Sequence, residues 1–495
     1  MTEELGARIR SGVAWKAASQ LTLQLSRMAV ALILARLLAP GDWGLAAMVL
    51  VFTGFVVVFT DSALGTALIQ RRELREEDRS TVFWASAAIG LVLAVVGIAC
   101  AGPVASFYGE PEVRSLFVAI SIGFLVTSLG TTHMALLARD MEFRLLELRQ
   151  IAATVAGAIL GIALALGGFG AWAIVGQGLA EATASTILLW ALSSWRPSFA
   201  FSLASLRRLS GFAGNVFGEN ILYQAGRNLA NLLIGRFLGA ASLGTYALAT
   251  NVILVPFSRI AAPLQQVFFP AFARLGDDRA RLADVWIRAS RLVGAVSIPA
   301  LVGLAIVAPD FVEVVLGSRW SGLTPLIQIL AIVGIVQSLQ TLSGEVLLAL
   351  GQAGTLLRFT FVWFVGTVGA FVLGLRWDVV GVAACYTALT LLLEPVRTYL
   401  TTRALGISFW SFVRPFSGVV QAAALMGVTL VVARAALVAE GVPATARFVL
   451  LVALGLGAYG AAFLWRAPDV VAEIRRTAGR RRAATPRVEA REEPV

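Results

Sequence analysis

Residues 12–38 read GVAWKAASQLTLQLSRMAVALILARLL, and residues 212–238 read FAGNVFGENILYQAGRNLANLLIGRFL. Each is long enough to cross a bilayer, which takes about 20 mostly apolar helical residues because lipid offers no partner to exposed backbone groups. Laid on each other at a shift of 200 residues, the two stretches share more than hydrophobicity. Gln24 falls on Gln224, Arg27 on Arg227, Leu32 on Leu232, Arg36 on Arg236 and Leu38 on Leu238; beyond them Gly44 falls on Gly244 and Ala47 on Ala247. Polar residues recurring at membrane depth mark an internal repeat.

The rest of the chain agrees with a membrane reading. Of 495 residues, 58% are hydrophobic and only 14% charged, a balance that a soluble domain surface does not accommodate. The net charge of +11 gathers in short Arg-rich loops, which argues for membrane topology and against nucleic acid as a partner. Spans are expected at 12–38, 43–70, 81–104, 115–138, 147–167, 170–193, 211–238, 243–270, 289–309, 323–348, 356–375, 379–401, 413–434 and 446–466. Breaks such as Pro40-Gly41-Asp42 and Gly167-Gly168-Phe169-Gly170 separate neighbouring helices. Arginines concentrate after every even span, for example Arg71, Arg72, Arg75 and Arg79, then Arg139, Arg144 and Arg149, then Arg274, Arg279, Arg281 and Arg288. The positive-inside rule then puts both termini in the cytoplasm and requires an even number of spans. The first apolar stretch is too long for a signal-peptide core, so no cleaved leader is expected.

The expected fold is therefore an all-α integral membrane protein of about 14 transmembrane helices. The shift of 200 passes six spans, an even number, so the repeat is parallel, about an axis along the membrane normal. An N-terminal lobe occupies 1–193, a cytoplasmic linker 194–210, a C-terminal lobe 211–403, two further helices 404–466, and a basic cytoplasmic tail 467–495. Outer loops are too short for an extracytoplasmic domain. Cys100 and Cys385 lie in separate spans and read as packing residues, and no disulfide, metal or cofactor is expected.

Helical spacing puts Lys16, Gln20, Gln24 and Arg27 on one stripe of the first span, and Asn220, Gln224, Arg227 and Asn231 on the matching stripe of the seventh. An arginine near the middle of a span costs about 2.5–3.5 kcal/mol even on a lenient insertion scale. Such a stripe must face water or protein, and one reading places both arginines on a central cationic cavity. Arg offers phosphate a bidentate fork, and amides suit sugar hydroxyls, so that cavity would take an anionic, hydroxyl-rich headgroup. Lys16, the only lysine of the chain, lies at its cytoplasmic mouth. In the alternative reading each Arg is neutralised by a buried acid such as Asp61, Glu219 or Glu345.

Acids inside spans are Asp61, Glu181, Glu219, Glu345 and Glu394. Asp61, Glu219 and Glu345 are the candidates for ion coupling, and Glu394 is expected to pair with Arg397 one turn away. Arg36 and Arg236 lie near outer helix ends, where snorkelling or a structural contact is expected. His133, the only histidine, reads as structural before it reads as a proton relay. Pro256, Pro263 and Pro270 recur every seven residues in span 8 and imply either a bendable helix or static curvature. Gly157 and Gly161 read as a close helix contact. There is no phosphate-binding glycine loop and no nucleophile–base pair, which argues against an ATP-driven pump and against an enzyme.

The run Leu34-Ala35-Arg36-Leu37-Leu38-Ala39-Pro40-Gly41-Asp42-Trp43-Gly44 resembles the start of Wzx-type oligosaccharide flippases of the MOP (MATE-like) superfamily. So do Asp61-Ser62-Ala63-Leu64-Gly65 followed by Ala67-Leu68-Ile69-Gln70-Arg71, and Phe83-Trp84. Ala138-Arg139-Asp140-Met141-Glu142-Phe143-Arg144, Gly168-Phe169-Gly170-Ala171-Trp172-Ala173 and Trp195-Arg196-Pro197-Ser198-Phe199 follow in the order of that family. The resemblance covers nearly the whole chain, is densest in the first 200 residues, and is closest to the colanic-acid and capsule exporters. It implies two six-helix lobes plus two helices in the bacterial inner membrane. It further implies transfer of undecaprenyl-pyrophosphate-linked oligosaccharide from the cytoplasmic to the periplasmic leaflet, for lipopolysaccharide, exopolysaccharide or capsule. A polysaccharide polymerase and glycosyltransferases are then the expected partners. A drug or metabolite extruder of the same superfamily would call for an acidic cavity, and lipid II export would use the same physics. A membrane glycosyltransferase or polymerase would need a sizeable outer loop that this chain lacks.

Overall fold

The computed structural model describes residues 22–61, 68, 74–203, 213–276, 278–468 and 470; the side chains of 55–61, 213–225, 227, 255–264, 266–267 and 269–270 lie outside that description. Among the described residues every regular element is helical. Helix α1 covers 22–37, α2 Pro40–Asp61, α3 Glu76–Tyr108, α4 Glu112–Arg139, α5 Phe143–Leu166 and α6 Trp172–Leu192. Residues Ala213–Arg274 form one helical run broken at Gly239, whose φ of 82° only glycine adopts without strain, giving α7 over 213–238 and α8 over 240–274. Then come α9 (Arg279–Phe311), a π-helical turn (Val312–Leu316), α10 (Leu323–Leu339), α11 (Ser343–Ala349), α12 (Ala353–Gly374), α13 (Asp378–Leu405), α14 (Phe409–Val413), α15 (Ser417–Ala439) and α16 (Ala444–Arg466).

Nine helical stretches among the described residues are long and apolar enough to cross a membrane. The chain is thus a multi-pass helical membrane protein, and the total of fourteen crossings stays an expectation. Helix α6 is not among the nine; Gln177 and Glu181 interrupt its apolar run. Local signals set the helix ends where the sequence places them. Asp42 Oδ2 accepts from the Ala39 N–H at 2.9 Å, the reach-back of a capping box, with Pro40 at the first helical position. Gly168 and Gly170, with φ of 76° and 56°, turn the chain between α5 and α6.

One expected span is not a single helix. Between α10 and α11 the backbone leaves the helix at 340–342, inside the stretch read as one crossing over 323–348. Side chains take over the hydrogen bonds there. Ser343 Oγ donates to Gln340 Oε1 at 2.7 Å, Gln340 Nε2 bonds Thr398 Oγ1, and Gln265 Nε2 donates to the Thr341 carbonyl at 2.8 Å. Non-helical backbone at membrane depth survives where protein, not lipid, surrounds it, and Gln340 and Ser343 are buried. Hydropathy cannot register such a break.

By proximity the chain forms two compact units. The first comprises Met1–Pro256, Val315–Leu326 and Phe364–Tyr386; the second comprises Phe257–Val314, Ile327–Trp363 and Thr387–Val495. In the first unit, the repeat-related glycines make a reciprocal contact. A Cβ on Gly44 would lie 1.7 Å from the Ala240 carbonyl oxygen, and one on Gly244 would lie 1.8 Å from that of Pro40. Pro40 and Ala240 are themselves 200 residues apart, so each side presents the same groups to the other, as a local two-fold relation requires. Trp320 closes over the same helix ends. Its Nε1 donates to the Ala35 carbonyl at 2.6 Å, an acceptor left free because the Ala39 N–H is committed to Asp42.

The second unit packs around Trp286, which stacks on Phe412 with ring centroids 4.3 Å apart, among Phe272, Leu282, Leu342 and Phe416. Its α15–α16 hairpin is pinned to α9 by Asp310, whose fully buried carboxylate meets Arg434 Nε at 2.7 Å and Arg447 Nε. Residues 194–202, within the stretch expected to be a linker, run extended along α3 in the first unit. Trp195 Nε1 donates to Glu76 Oε1 at 2.6 Å, Trp84 Nε1 to the Ser198 carbonyl at 2.9 Å, and the Ser202 N–H to Thr81 Oγ1 at 3.0 Å. Residues 204–210 of the linker lie outside the described residues.

Candidate functional site

Helix α1 decides where Arg27 can point. Leu23, Val30 and Leu34 follow at helical spacing and are buried, whereas Leu25, Ile33 and Arg36 on the opposite side are exposed. Arg27 lies within the buried stripe, yet 39% of its side chain stays accessible. That accessible part is on the protein side of α1, because the lipid side is the face bearing Leu25 and Ile33. Arg27 shares this face with Leu23, Val30 and Leu34, while Lys16 and Gln20 of the expected stripe lie outside the described residues.

The partner of Arg27 is Glu181 of α6, at 2.7 Å from Nη2 to Oε1. The sequence lists Glu181 among intramembrane acids but singles out Asp61, Glu219 and Glu345 as charge partners or coupling sites. The same oxygen of Glu181 also accepts from Gln150 Nε2 at 2.8 Å and Thr154 Oγ1 at 3.0 Å. Gln150 is held in turn by Arg149, whose Nη2 donates to Gln150 Oε1 at 2.9 Å and whose Nη1 donates to Ser185 Oγ at 2.9 Å. The network thus joins α1, α5 and α6 and contains the cations Arg27 and Arg149 with the anion Glu181, and the charge of Glu147 bears on Arg149.

Close packing of α5 on α6 makes these distances attainable. Gly157 and Gly161 follow Gln150 and Thr154 at i+7 and i+11 of one face. A Cβ on Gly157 would lie 2.7 Å from the Gln177 carbonyl oxygen and 3.0 Å from Glu181 Cβ, and one on Gly161 would lie 2.8 Å from Gln177 Cβ. The two glycines therefore let the α6 backbone approach until Glu181 reaches α5. The sequence offers a signal for this: amide, hydroxyl, glycine and glycine at 150, 154, 157 and 161 form one helical stripe. It also counts Arg149 with the cytoplasmic loop after the fourth span, although the expected fifth span, 147–167, already contains it. The structure corrects that, because α5 begins at Phe143 and buries Arg149.

The other sequence candidates divide as follows. Gln24 is half-buried one turn before Arg27, and Asn231 is half-buried on α7; among the described residues no hydrogen bond joins either to Arg27. Lys16 lies outside the described residues, as do the side chains of Asp61, Glu219, Asn220, Gln224 and Arg227. Glu345 is on α11 in the second unit, half-buried, where the charge of Arg397 bears on it. Glu394 pairs with Arg397 at 3.9 Å, as expected. Arg36 reaches the Val315 carbonyl at 3.5 Å, and Arg236 lies 5.9 Å from the ring centroids of both Phe107 and Phe237. Both make structural contacts, in line with their position at helix ends. His133 is fully buried, with Trp190 at 4.7 Å and Trp195 at 5.3 Å between ring centroids. Among the described residues neither of its ring nitrogens has a hydrogen-bond partner.

A family described as polysaccharide biosynthesis protein matches residues 33–325, more than half of the chain and including α1 from Ile33 through the α6 helix that carries Glu181. The chain belongs to this polysaccharide biosynthesis family. Teichuronic acid biosynthesis protein TuaB of Bacillus subtilis (strain 168) is 27% identical over 421 residues, covering 83% of this chain and 86% of TuaB. Lipopolysaccharide biosynthesis protein WzxC of Escherichia coli (strain K12) is 28% identical over 352 residues, covering 70% of this chain and 71% of WzxC. Among solved structures, the lipid II flippase MurJ in an inward closed conformation superposes with a TM-score of 0.73 at 12% identity, covering 92% of this chain and 99% of MurJ. The superposition shows a shared fold, and at that identity it shows the fold alone. Membership of the polysaccharide biosynthesis family agrees with the resemblance carried by the motifs at 34–44, 61–71 and 138–144.

Proposed function

We propose that this protein flips undecaprenyl-pyrophosphate-linked oligosaccharide repeat units from the cytoplasmic to the periplasmic leaflet of the bacterial inner membrane, with both termini in the cytoplasm. The observation that carries the reading is Arg27: a cation at membrane depth, on the protein side of its helix, with 39% of its side chain open to a ligand. Membership of a polysaccharide biosynthesis family supplies the class of substrate. A pyrophosphate cannot enter hydrocarbon at tolerable cost, whereas a polyprenyl tail can remain there. A cavity walled in part by α1, α5 and α6 takes the headgroup, and alternating access of the two lobes, 1–193 and 211–403, moves it without covalent chemistry. Arg27 and its repeat mate Arg227 anchor the anion, with Lys16 at the mouth and Gln24, Gln224, Asn220 and Asn231 facing sugar. Glycosyltransferases act before the flip and a polymerase after it.

The test is complementation of a flippase-null strain with a compatible glycan, scoring surface polysaccharide at matched protein levels. Wild type restores polymer, and Arg27→Ala restores less than about a tenth of it, the loss expected for one charge-assisted contact. Restoration by both proteins to the same level would remove Arg27 from the site. A wild-type protein that restores nothing in strains of several compatible glycans would favour extrusion of a different solute.

A further inference from the structure

We infer that Glu181 is a built-in competitor for the anion site: without substrate its carboxylate occupies Arg27, and a phosphate group of the lipid-linked headgroup displaces it. This rests on Arg27 being the headgroup anchor. The geometry is that of a ligand surrogate. Three donors from α1 and α5, namely Arg27 Nη2, Gln150 Nε2 and Thr154 Oγ1, converge on one carboxylate oxygen at 2.7–3.0 Å. They form the kind of shell that an oxyanion of a phosphate would receive.

The pair is also built to exchange. Arg27 engages Glu181 through Nη2, and among the described residues the rest of its guanidinium fork makes no ion pair or hydrogen bond, which leaves that edge for an incoming anion. A phosphate can take that free edge while the carboxylate is still bound, and then replace it. Glu181 is not orphaned when it lets go, because Gln150 and Thr154 still donate to it. It cannot follow Arg27 far either, since α6 is locked against α5 at Gly157 and Gly161. Gln150 cannot rotate away, since Arg149 fixes its carbonyl end.

Among the described residues, the charged groups linked to this point are Arg27 on α1, Arg149 and Glu147 on α5 and Glu181 on α6. The charge of Arg27 is thus met, among the described residues, by that of Glu181. The Arg27–Glu181 pair has a functional consequence. An anion must outcompete a carboxylate that already holds three hydrogen bonds, so a monoanion gains little and a multiply charged pyrophosphate gains more. The same competition lowers the affinity for bound headgroup and favours its release on the far side, where Glu181 reclaims Arg27.

The experiment measures binding of inorganic pyrophosphate to the full-length chain in lipid nanodiscs by titration calorimetry. The variants are Glu181→Gln, Glu181→Asp, Arg27→Ala and the double Arg27→Ala/Glu181→Gln. Glu181→Gln binds about tenfold more tightly than wild type, and Glu181→Asp, which keeps the competing charge, stays within about twofold. Arg27→Ala binds at least tenfold more weakly, and the double variant matches it. Equal affinity of wild type and Glu181→Gln, with Arg27→Ala still weakened, would overturn the competition and leave the anchor standing. Equal tightening by Glu181→Gln in the presence and absence of Arg27, or by Glu181→Asp as well, would overturn it too. Pyrophosphate binding that ignores Arg27, or that no variant shows, would instead overturn the anchor.

Discussion

Replacing Gly44 or Gly244 by alanine attacks the most constrained contact of the first unit. Each new methyl group would meet a carbonyl oxygen of the backbone, at 1.7 Å for Gly44 and 1.8 Å for Gly244, where contacts under 3.0 Å are essentially unknown. Neither oxygen belongs to a flexible side chain, so two backbone segments must part by at least about 1.3 Å in a close-packed region. Overpacking of this kind costs about 3 kcal/mol or more, the upper end of the usual range, because no rotamer change can relieve it. Because the contact is reciprocal, one displacement relieves both clashes. The double variant should then lose less than the sum of the singles, with a coupling of about 1–3 kcal/mol. Gly41→Ala is the control: it lies in the same turn with nothing within 4 Å of the added Cβ, and alanine in a helix stabilises by up to about 1 kcal/mol. The assay is unfolding of the purified chain by SDS titration, followed by tryptophan fluorescence. Single variants within about 0.5 kcal/mol of wild type, or additive losses in the double, would refute the crossing and the two-fold relation drawn from it.

Three further substitutions separate structural from functional roles of polar groups. Asp310→Ala leaves Arg447, which is 14% exposed, and Arg434 without their shared carboxylate, and should cost about 3–5 kcal/mol in the same unfolding assay. Arg434→Ala should cost less, since Arg447 still holds Asp310; equal losses would contradict the shared pairing. His133→Phe removes two ring nitrogens that have no hydrogen-bond partner among the described residues and keeps the aromatic contact with Trp190, so stability should hold or rise by about 1–3 kcal/mol. A His133→Phe protein that is stable yet fails to restore surface polysaccharide would show that the histidine works as a relay and not as packing.

The sequence by itself determined the class of the fold. Continuous apolar runs, glycine and proline breaks and the 200-residue recurrence of Arg27 and Gly44 are one-dimensional signals, because lipid forces each crossing to satisfy its own backbone hydrogen bonds. It also determined the stripe that carries Arg27, since helical period alone sets which residues share a face. Even the tight α5–α6 packing was legible in Gly157 and Gly161. Tertiary structure decided what Arg27 touches. Its partner Glu181 lies 154 residues away on α6, and no period within one helix relates the two. The buried state of Arg149 and the break at 340–342 were decided the same way, by side chains brought in from other helices. Hydropathy sums the cost of a polar group in lipid, but only the assembled helices supply the groups that offset that cost.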